Sequence, residues 1–437
     1  MELSKQNKKL TSKKIFRFWS PLAATWLMMS MEGPFIAAII ARLAEPKYNL
    51  AAYGVAFSFA LIIEAPVIMI MSASTALVKD KLTFSRLRNF TYFVNIVITL
   101  LMIIFLIPSI FNFVAYNLIE LPKKVADLTY IATILLLPWP GAIGYRRFFQ
   151  GILIRHNQTR RVAYGTIVRL TMMSLTALVL YLNYNFDGVI VGASALSIGV
   201  IAEAIASRLM SINILKNIKE KNSYKNLTYK EIITFYYPLA LTSILGLGVY
   251  PLVTFFIGQS SMPLESLAVL PVINSLVFIF RSTGLSFQEV GIALLGEEGE
   301  NYSALKNFAS KLALFSAGIL IIIAVTPLAK LWFHNVSGLS EELTDFAIIP
   351  LIIISLIPAF SVFLSFIRAI LVARKRTAPI SPATAIEVIG IIFTLFVLIK
   401  GFFFIGAIAA MISFMVGRLG AILFLLPKYF KVVKSFN

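Results

Sequence analysis

Long apolar stretches alternate with short polar breaks along the whole chain of 437 residues. A bilayer core needs about 20 apolar residues of helix to cross it, and each of these stretches is long enough. The pattern therefore predicts an all-α polytopic membrane protein with twelve transmembrane helices. The predicted spans are residues 15–43, 50–78, 90–117, 123–153, 160–183, 187–215, 230–258, 263–295, 304–333, 343–372, 379–399 and 402–427.

Composition and charge agree with this prediction. Apolar residues make up 59% of the chain and charged residues 14%, against roughly 45–50% and 25% in soluble domains. The net charge of +19 would suggest nucleic acid in a soluble protein. Here 26 Lys and Arg residues fall in the breaks on one side and six in those on the other. This asymmetry predicts a multi-pass protein of the cell membrane (the inner membrane in a bacterium) with both termini cytoplasmic and no nucleic-acid partner.

The two halves of the chain repeat each other. An offset of 217 carries Phe18-Trp19-Ser20-Pro21-Leu22-Ala23 onto Phe235-Tyr236-Tyr237-Pro238-Leu239-Ala240, and an offset of 218 carries Thr166 onto Thr384. Because each half has an even number of spans, we predict two parallel six-helix repeats that form a V-shaped bundle of two lobes. The predicted parts are an N-terminal lobe (1–215), a cytoplasmic linker (216–230) and a C-terminal lobe (231–437).

This plan is typical of transporters, in which two similar bundles rock around a site between them. The alternative of another class is a duplicated membrane scaffold that transports nothing. Pro34 and Pro251 occupy equivalent positions within their spans, and each removes a backbone hydrogen bond. We therefore predict both prolines as hinges.

Charged side chains inside the spans are the main functional candidates, because each costs about 2.5–3.5 kcal/mol at the bilayer centre. Equivalent positions carry opposite charges, Glu64 with Arg281 and Arg169 with Glu387. Either these residues pair across the halves, or each is neutralised within its own half, for example Glu64 by Arg169. Arg418 is expected to reach the cytoplasmic interface, as is Arg208. The predicted substrate-binding or gating residues are Glu32, Glu64, Arg146, Arg147, Arg169, Asn274, Arg281, Arg368 and Glu387.

The sequence contains few of the residues and motifs on which enzymes depend. The chain has no cysteine, its only histidines are His156 and His334, both at span ends, and it has no phosphate-binding loop. We predict no catalytic site, no metal and no cofactor, and transport driven by a gradient, with coupling to H⁺ or Na⁺ as an option. The buried arginines at least match the glutamates, which favours an anionic or amphipathic small molecule as the partner, besides membrane lipid. We expect a monomer.

The chain resembles the multidrug/oligosaccharidyl-lipid/polysaccharide (MOP) exporter superfamily, which includes the MATE efflux proteins. The Pro-Leu-Ala element at Pro21 and Pro238 that opens each half carries this resemblance, and Gly151-Ile152-Leu153-Ile154-Arg155-His156 is most similar to the progressive ankylosis (ANKH) group. The resemblance implies export of an organic or phosphorylated anion. MATE proteins typically have an aspartate in the first helix, whereas the first span here has Glu32, a departure from the pattern of cation-driven drug efflux. A proton- or sodium-coupled multidrug antiporter is an alternative. A lipid-linked oligosaccharide flippase is another.

Overall fold

The helices account for nearly all of the described chain. The computed structural model describes residues 10–40, 42–118, 121–182, 186–218, 227–337 and 339–436, so residues 219–226 of the predicted linker lie outside the described residues. The α-helices are α1 (Ser12–Ser30), α2 (Glu32–Ile40), α3 (Pro46–Glu64), α4 (Ile70–Leu77), α5 (Lys81–Phe105), α6 (Pro108–Asn112), α7 (Lys123–Leu135), α8 (Trp139–Arg155), α9 (Thr159–Leu182), α10 (Gly188–Lys216), α11 (Tyr229–Ile257), α12 (Pro263–Leu294), α13 (Tyr302–Val325), α14 (Leu328–Lys330), α15 (Glu341–Ile354), α16 (Ile357–Ala373), α17 (Ile380–Phe396) and α18 (Gly406–Val433).

Within the described residues, twelve helical segments are long and apolar enough to cross a membrane, which confirms the predicted fold class. The third span begins at Lys81, whereas the sequence pattern predicted residue 90. Asp80 explains the difference, because its side chain accepts a hydrogen bond from the Thr83 backbone N–H at 2.8 Å and caps the helix. Arg86 and Arg88 consequently lie on α5, although they were expected in the preceding loop.

The internal repeat is visible in local backbone detail. Glu45 and Met262 both have a left-handed backbone, and each immediately precedes a proline that begins a helix. The side-chain oxygen of Asn49 accepts a hydrogen bond from the backbone N–H of Val189 at 2.9 Å. The hydroxyl of Ser266 likewise accepts a hydrogen bond from the backbone N–H of Ala407 at 3.0 Å. These pairs correspond at the offsets of 217 and 218, so the prediction of two six-helix repeats is confirmed.

The chain folds into two compact units, and their limits differ from the predicted lobes. Unit 1 comprises Met1–Trp26 and Val249–Asn437, and unit 2 comprises Leu27–Gly248. The limits fall inside the first and seventh spans and not in the linker. The beginning of each repeat's first span therefore belongs to the unit formed mainly by the other repeat.

A tryptophan attaches the beginning of α1 to unit 1. The indole N–H of Trp19 donates to the Ser286 hydroxyl at 2.8 Å and to the Thr283 carbonyl at 3.3 Å, both on α12. Its ring meets the edge of Phe308, with centroids 5.9 Å apart. Buried tryptophan and tyrosine need such a partner for their polar atom, so this bond fixes both the depth and the rotation of α1.

A tyrosine attaches the beginning of α11 to unit 2 in the same way. The Tyr236 hydroxyl donates to the Pro66 carbonyl, and its ring packs edge-on against Phe90 with centroids 5.4 Å apart. Tyr236 and Pro66 are the repeat equivalents of Trp19 and Thr283. The two anchors are thus equivalent contacts in the two repeats, made by an indole in the first repeat and by a phenol in the second.

We expect Tyr236→Phe to destabilise the protein by about 1 kcal/mol, because the Pro66 carbonyl loses its donor in apolar surroundings. For a chain of 437 residues, the midpoint of thermal unfolding in detergent should shift down by about 1 °C. The matched control is Tyr237→Phe, since Tyr237 is the next residue on the same helix and is 63% exposed, whereas Tyr236 is 4% exposed. Equal shifts for the two variants would contradict the anchor.

Candidate functional site

A network of buried charges lies at the centre of unit 2. Arg146 on α8 is paired with Glu203 on α10, and Arg169 on α9 is paired with Glu32 at the beginning of α2. A second guanidinium nitrogen of Arg169 lies 3.7 Å from Glu203, which links the two pairs. All four side chains are at least nine-tenths buried. The network therefore joins spans 1, 4, 5 and 6 through ionic contacts.

Small residues bring these helices close enough for the contacts. A Cβ atom added to Gly199 on α10 would lie 3.0 Å from the carbonyl oxygen of Arg169, so glycine allows α10 to pack closely on α9. Glu203 follows one turn later on the same face of α10. Its carboxylate also accepts hydrogen bonds from Thr166 at 3.1 Å and from Gln150 at 3.0 Å. Glu203 is thus fully surrounded by donors, as a buried carboxylate requires.

Glu64 is the third carboxylate of this network. It ends α3, where a short 3₁₀ turn (Ala65–Val67) interrupts the second span, and it is 6% exposed. One of its carboxylate oxygens is buried without a hydrogen-bond partner. Arg147 on α8 is also buried, and its guanidinium lies 3.7 Å from the Met71 sulfur. Unit 2 thus buries three glutamates and three arginines within its spans.

A smaller cluster occupies the equivalent place in unit 1. Arg418 on α18 donates to Glu387 on α17 at 2.9 Å, and Arg368 on α16 donates to the Thr384 hydroxyl at 2.8 Å. The Arg368 guanidinium lies 4.0 Å from Glu387. A Cβ atom added to Gly417 would lie 2.6 Å from the Glu387 carbonyl oxygen, so a glycine again allows the close approach.

These contacts decide between two expectations made from the sequence. Arg169 and Glu387 each have ionic partners within their own unit, which is the second of the two arrangements considered above. The partner of Arg169 is Glu32, however, and not Glu64. The expectation that Arg418 reaches the interface is wrong, since its guanidinium is paired with Glu387. A glutamate on the neighbouring helix within reach attracts it more strongly than the distant interface does.

The remaining predicted residues lie outside the two clusters. Asn274 and Arg281 are half-buried on α12 in unit 1. Pro34 follows a break in the helix at Met31, whereas α11 continues past Pro251 without interruption. The roles of the two prolines as hinges stay predictions, as does the pairing of Glu64 with Arg281.

Sequence reasoning left several members of the clusters without a role. Glu203 lies in the predicted span 187–215 but is not among the predicted site residues, and Thr166 and Thr384 are predicted only as matching positions of the repeat. The hydrogen bonds of these residues depend on which helices touch, which spacing along one chain does not reveal. One signal was available, because Thr166 and Thr384 each stand three residues before a charge, Arg169 or Glu387.

The fold can be compared with solved structures. The structure matches a mutant of the Vibrio cholerae MATE transporter VcmN with a TM-score of 0.75 and 16% identity, over 97% of both chains. It matches the eukaryotic MATE transporter AtDTX14 with a TM-score of 0.73 and 14% identity, over 97% of both chains. The chain has the fold of the MATE transporters.

A third structure has this MATE fold and a different pocket. It is a MOP superfamily transporter from Pyrococcus furiosus with a binding pocket of reverse polarity, matched with a TM-score of 0.74 and 14% identity over 98% of this chain and 97% of that one. No protein-family model and no curated protein sequence matches the chain. The multi-pass membrane character follows from the MATE fold and the twelve apolar spans. The likeness to the ankylosis group stays a prediction.

We expect Glu203→Gln to destabilise this MATE fold by about 3–5 kcal/mol, because it leaves Arg146 buried without its counter-charge. The measurement is thermal unfolding in detergent. The control is Glu298→Gln, which removes an exposed carboxylate between two spans and should leave unfolding unchanged.

The double variant that combines Glu203→Gln with Arg146→Gln should recover part of the stability lost in Glu203→Gln, since both buried charges are then absent. The outcome that contradicts the pair is a double variant whose loss of stability equals the sum of the losses in Glu203→Gln and Arg146→Gln. The two residues would then act independently.

Proposed function

We propose that this protein is a secondary active transporter that exports an organic or phosphorylated anion by rocker-switch alternating access. The MATE fold supports a transporter over an enzyme. Among the described residues, no group of three or more His, Asp or Glu side chains is placed to hold a metal ion. Transport would then be driven by the gradient of the solute or of a coupled H⁺ or Na⁺.

Arg281 is the observation that carries the proposed anion. It lies within the eighth span, and among the described residues of unit 1 no carboxylate is within ion-pair distance of it. Its Nε atom is buried without a hydrogen-bond partner. An arginine at membrane depth is expensive unless an anion neutralises it. A guanidinium also fits carboxylate and phosphate groups through two parallel hydrogen bonds, so a transported anion would satisfy it.

Two other arginines in the spans of unit 1 differ from Arg281 because they have partners. Arg418 donates to Glu387 at 2.9 Å, and Arg368 donates to the Thr384 hydroxyl at 2.8 Å. The Pyrococcus furiosus transporter, with its pocket of reverse polarity, is a precedent within this fold for a change of pocket charge.

Three alternatives predict different behaviour in proteoliposomes. A multidrug antiporter would carry a cationic dye such as ethidium and would depend on Glu32 or Glu64. A flippase would move a lipid-linked sugar and no soluble anion. A scaffold would move none of these solutes. The proposed function requires flux of a soluble anion, tested with a dicarboxylate, a tricarboxylate, inorganic phosphate and a sugar phosphate.

We expect Arg281→Gln to lower the flux of the transported anion by about tenfold or more, because charge-assisted hydrogen bonds are lost. Arg281→Lys should retain part of the flux, since the positive charge remains. Arg376→Gln is the matched control, because Arg376 is exposed between spans 10 and 11. An unchanged anion flux in Arg281→Gln, measured in protein that unfolds at the wild-type temperature, would rule out Arg281 as the anion contact.

A further inference from the structure

A groove opens on the membrane-facing side of unit 2, where α5, α8 and α10 meet. Its volume is about 660 Å³. Ile96, Leu100, Ile205 and Leu209 form its rim, and each is more than half exposed. Within a transmembrane span such side chains contact the acyl chains of lipids. The groove is therefore open to the bilayer, and its first available occupant is a membrane lipid.

One end of this groove is positively charged and rich in hydroxyl groups. Arg208 and Tyr145 line it, and Tyr92 stacks on Tyr145 with the ring centroids 6.0 Å apart. Arg88 precedes Tyr92 by one turn on the same face of α5, so it lies next to the tyrosine pair at this end of the groove. Among the described residues, neither arginine has a carboxylate within ion-pair distance. The Arg208 guanidinium instead lies over the Phe149 ring, 5.1 Å from its centroid.

The polarity falls along the groove. Arg88, Tyr92, Ile96 and Leu100 follow one another at intervals of four residues on α5, so they form a single stripe on one face. Asn95 beside this stripe donates to the Gly141 carbonyl at 3.2 Å, and apart from the Thr99 hydroxyl the lining beyond it is apolar. A cationic end followed by an apolar channel matches an amphiphile with an anionic head and an acyl chain.

We propose that this groove binds an anionic phospholipid of the surrounding bilayer. Its phosphate would lie on Arg208 and Arg88, and one acyl chain would follow Ile96, Leu100 and Ile205. Arginine suits a phosphate because its planar fork donates two parallel hydrogen bonds. Basic residues at the end of a span also attract anionic lipid, and α5 begins with Lys81 and Arg86 in addition to Arg88. This proposal does not depend on the transported solute.

Native mass spectrometry of the full chain tests the headgroup contact. The protein is reconstituted in vesicles of equal parts phosphatidylglycerol and phosphatidylcholine and then released in detergent. The wild type should retain phosphatidylglycerol in preference to phosphatidylcholine. Arg208→Gln should lower that preference by about tenfold, the loss expected for a charge-assisted hydrogen bond. The control Arg160→Gln removes an exposed arginine at the beginning of α9 and should bind phosphatidylglycerol like the wild type.

A second pair of variants tests the acyl-chain channel. Ala142→Phe fills the groove and should reduce retention of both lipids, whereas Ala163→Phe adds the same ring to α9, outside the groove. Thermal unfolding and gel filtration identify any variant that fails to fold. If one variant fails, the proposal is judged on the other variant and its control. Equal retention of the two lipids by the wild type would overturn the proposal. So would a wild-type preference in Arg208→Gln together with wild-type retention of both lipids in Ala142→Phe.

Discussion

An ionised side chain buried in a membrane span must find an opposite charge, and this constraint shapes unit 2. A carboxylate or guanidinium left alone there costs several kcal/mol, more than most packing contacts supply. Glu32, Arg146, Arg169 and Glu203 meet this requirement together, and they come from four spans. The helices that carry them can therefore pack in only a few ways, because any other arrangement separates the charges. The close approach at Gly199 is one element of that arrangement.

The two repeats meet the same constraint with opposite signs. Arg169 and Glu387 occupy equivalent positions. Arg169 is paired with Glu32 on α2 and lies 3.7 Å from Glu203 on α10, whereas Glu387 is paired with Arg418 on α18. The glycine and threonine around each charge are the same in both repeats, because a small residue and a hydroxyl serve either sign. A hydroxyl donates to Glu203 through Thr166 and accepts from Arg368 through Thr384. The duplicated backbone therefore sets the place of the site, and a few side chains set its polarity.

The spans and their duplication could be predicted because both are local properties of the sequence. Apolar length decides a span, and an offset between matching residues decides a repeat. The partners in each cluster could not be predicted, since they depend on which helices touch. Glu203 shows this, because its role rests on Arg146 and Gln150, some 50 residues earlier in the chain. The third span begins nine residues before the predicted start, at Lys81, because Asp80 caps the helix. This cap is a local signal that the apolar pattern does not include.

The unit limits show why sequence repeats and compact units differ. Trp19 and Tyr236 are equivalent, and each attaches its helix end to the unit formed mainly by the other repeat. The polypeptide therefore passes between the units at two places, after Trp26 and after Gly248. Pro34 lies eight residues after the first crossing and Pro251 three residues after the second. Each proline lacks a backbone N–H close to the point where the chain changes unit, and their predicted role as hinges rests on this local property.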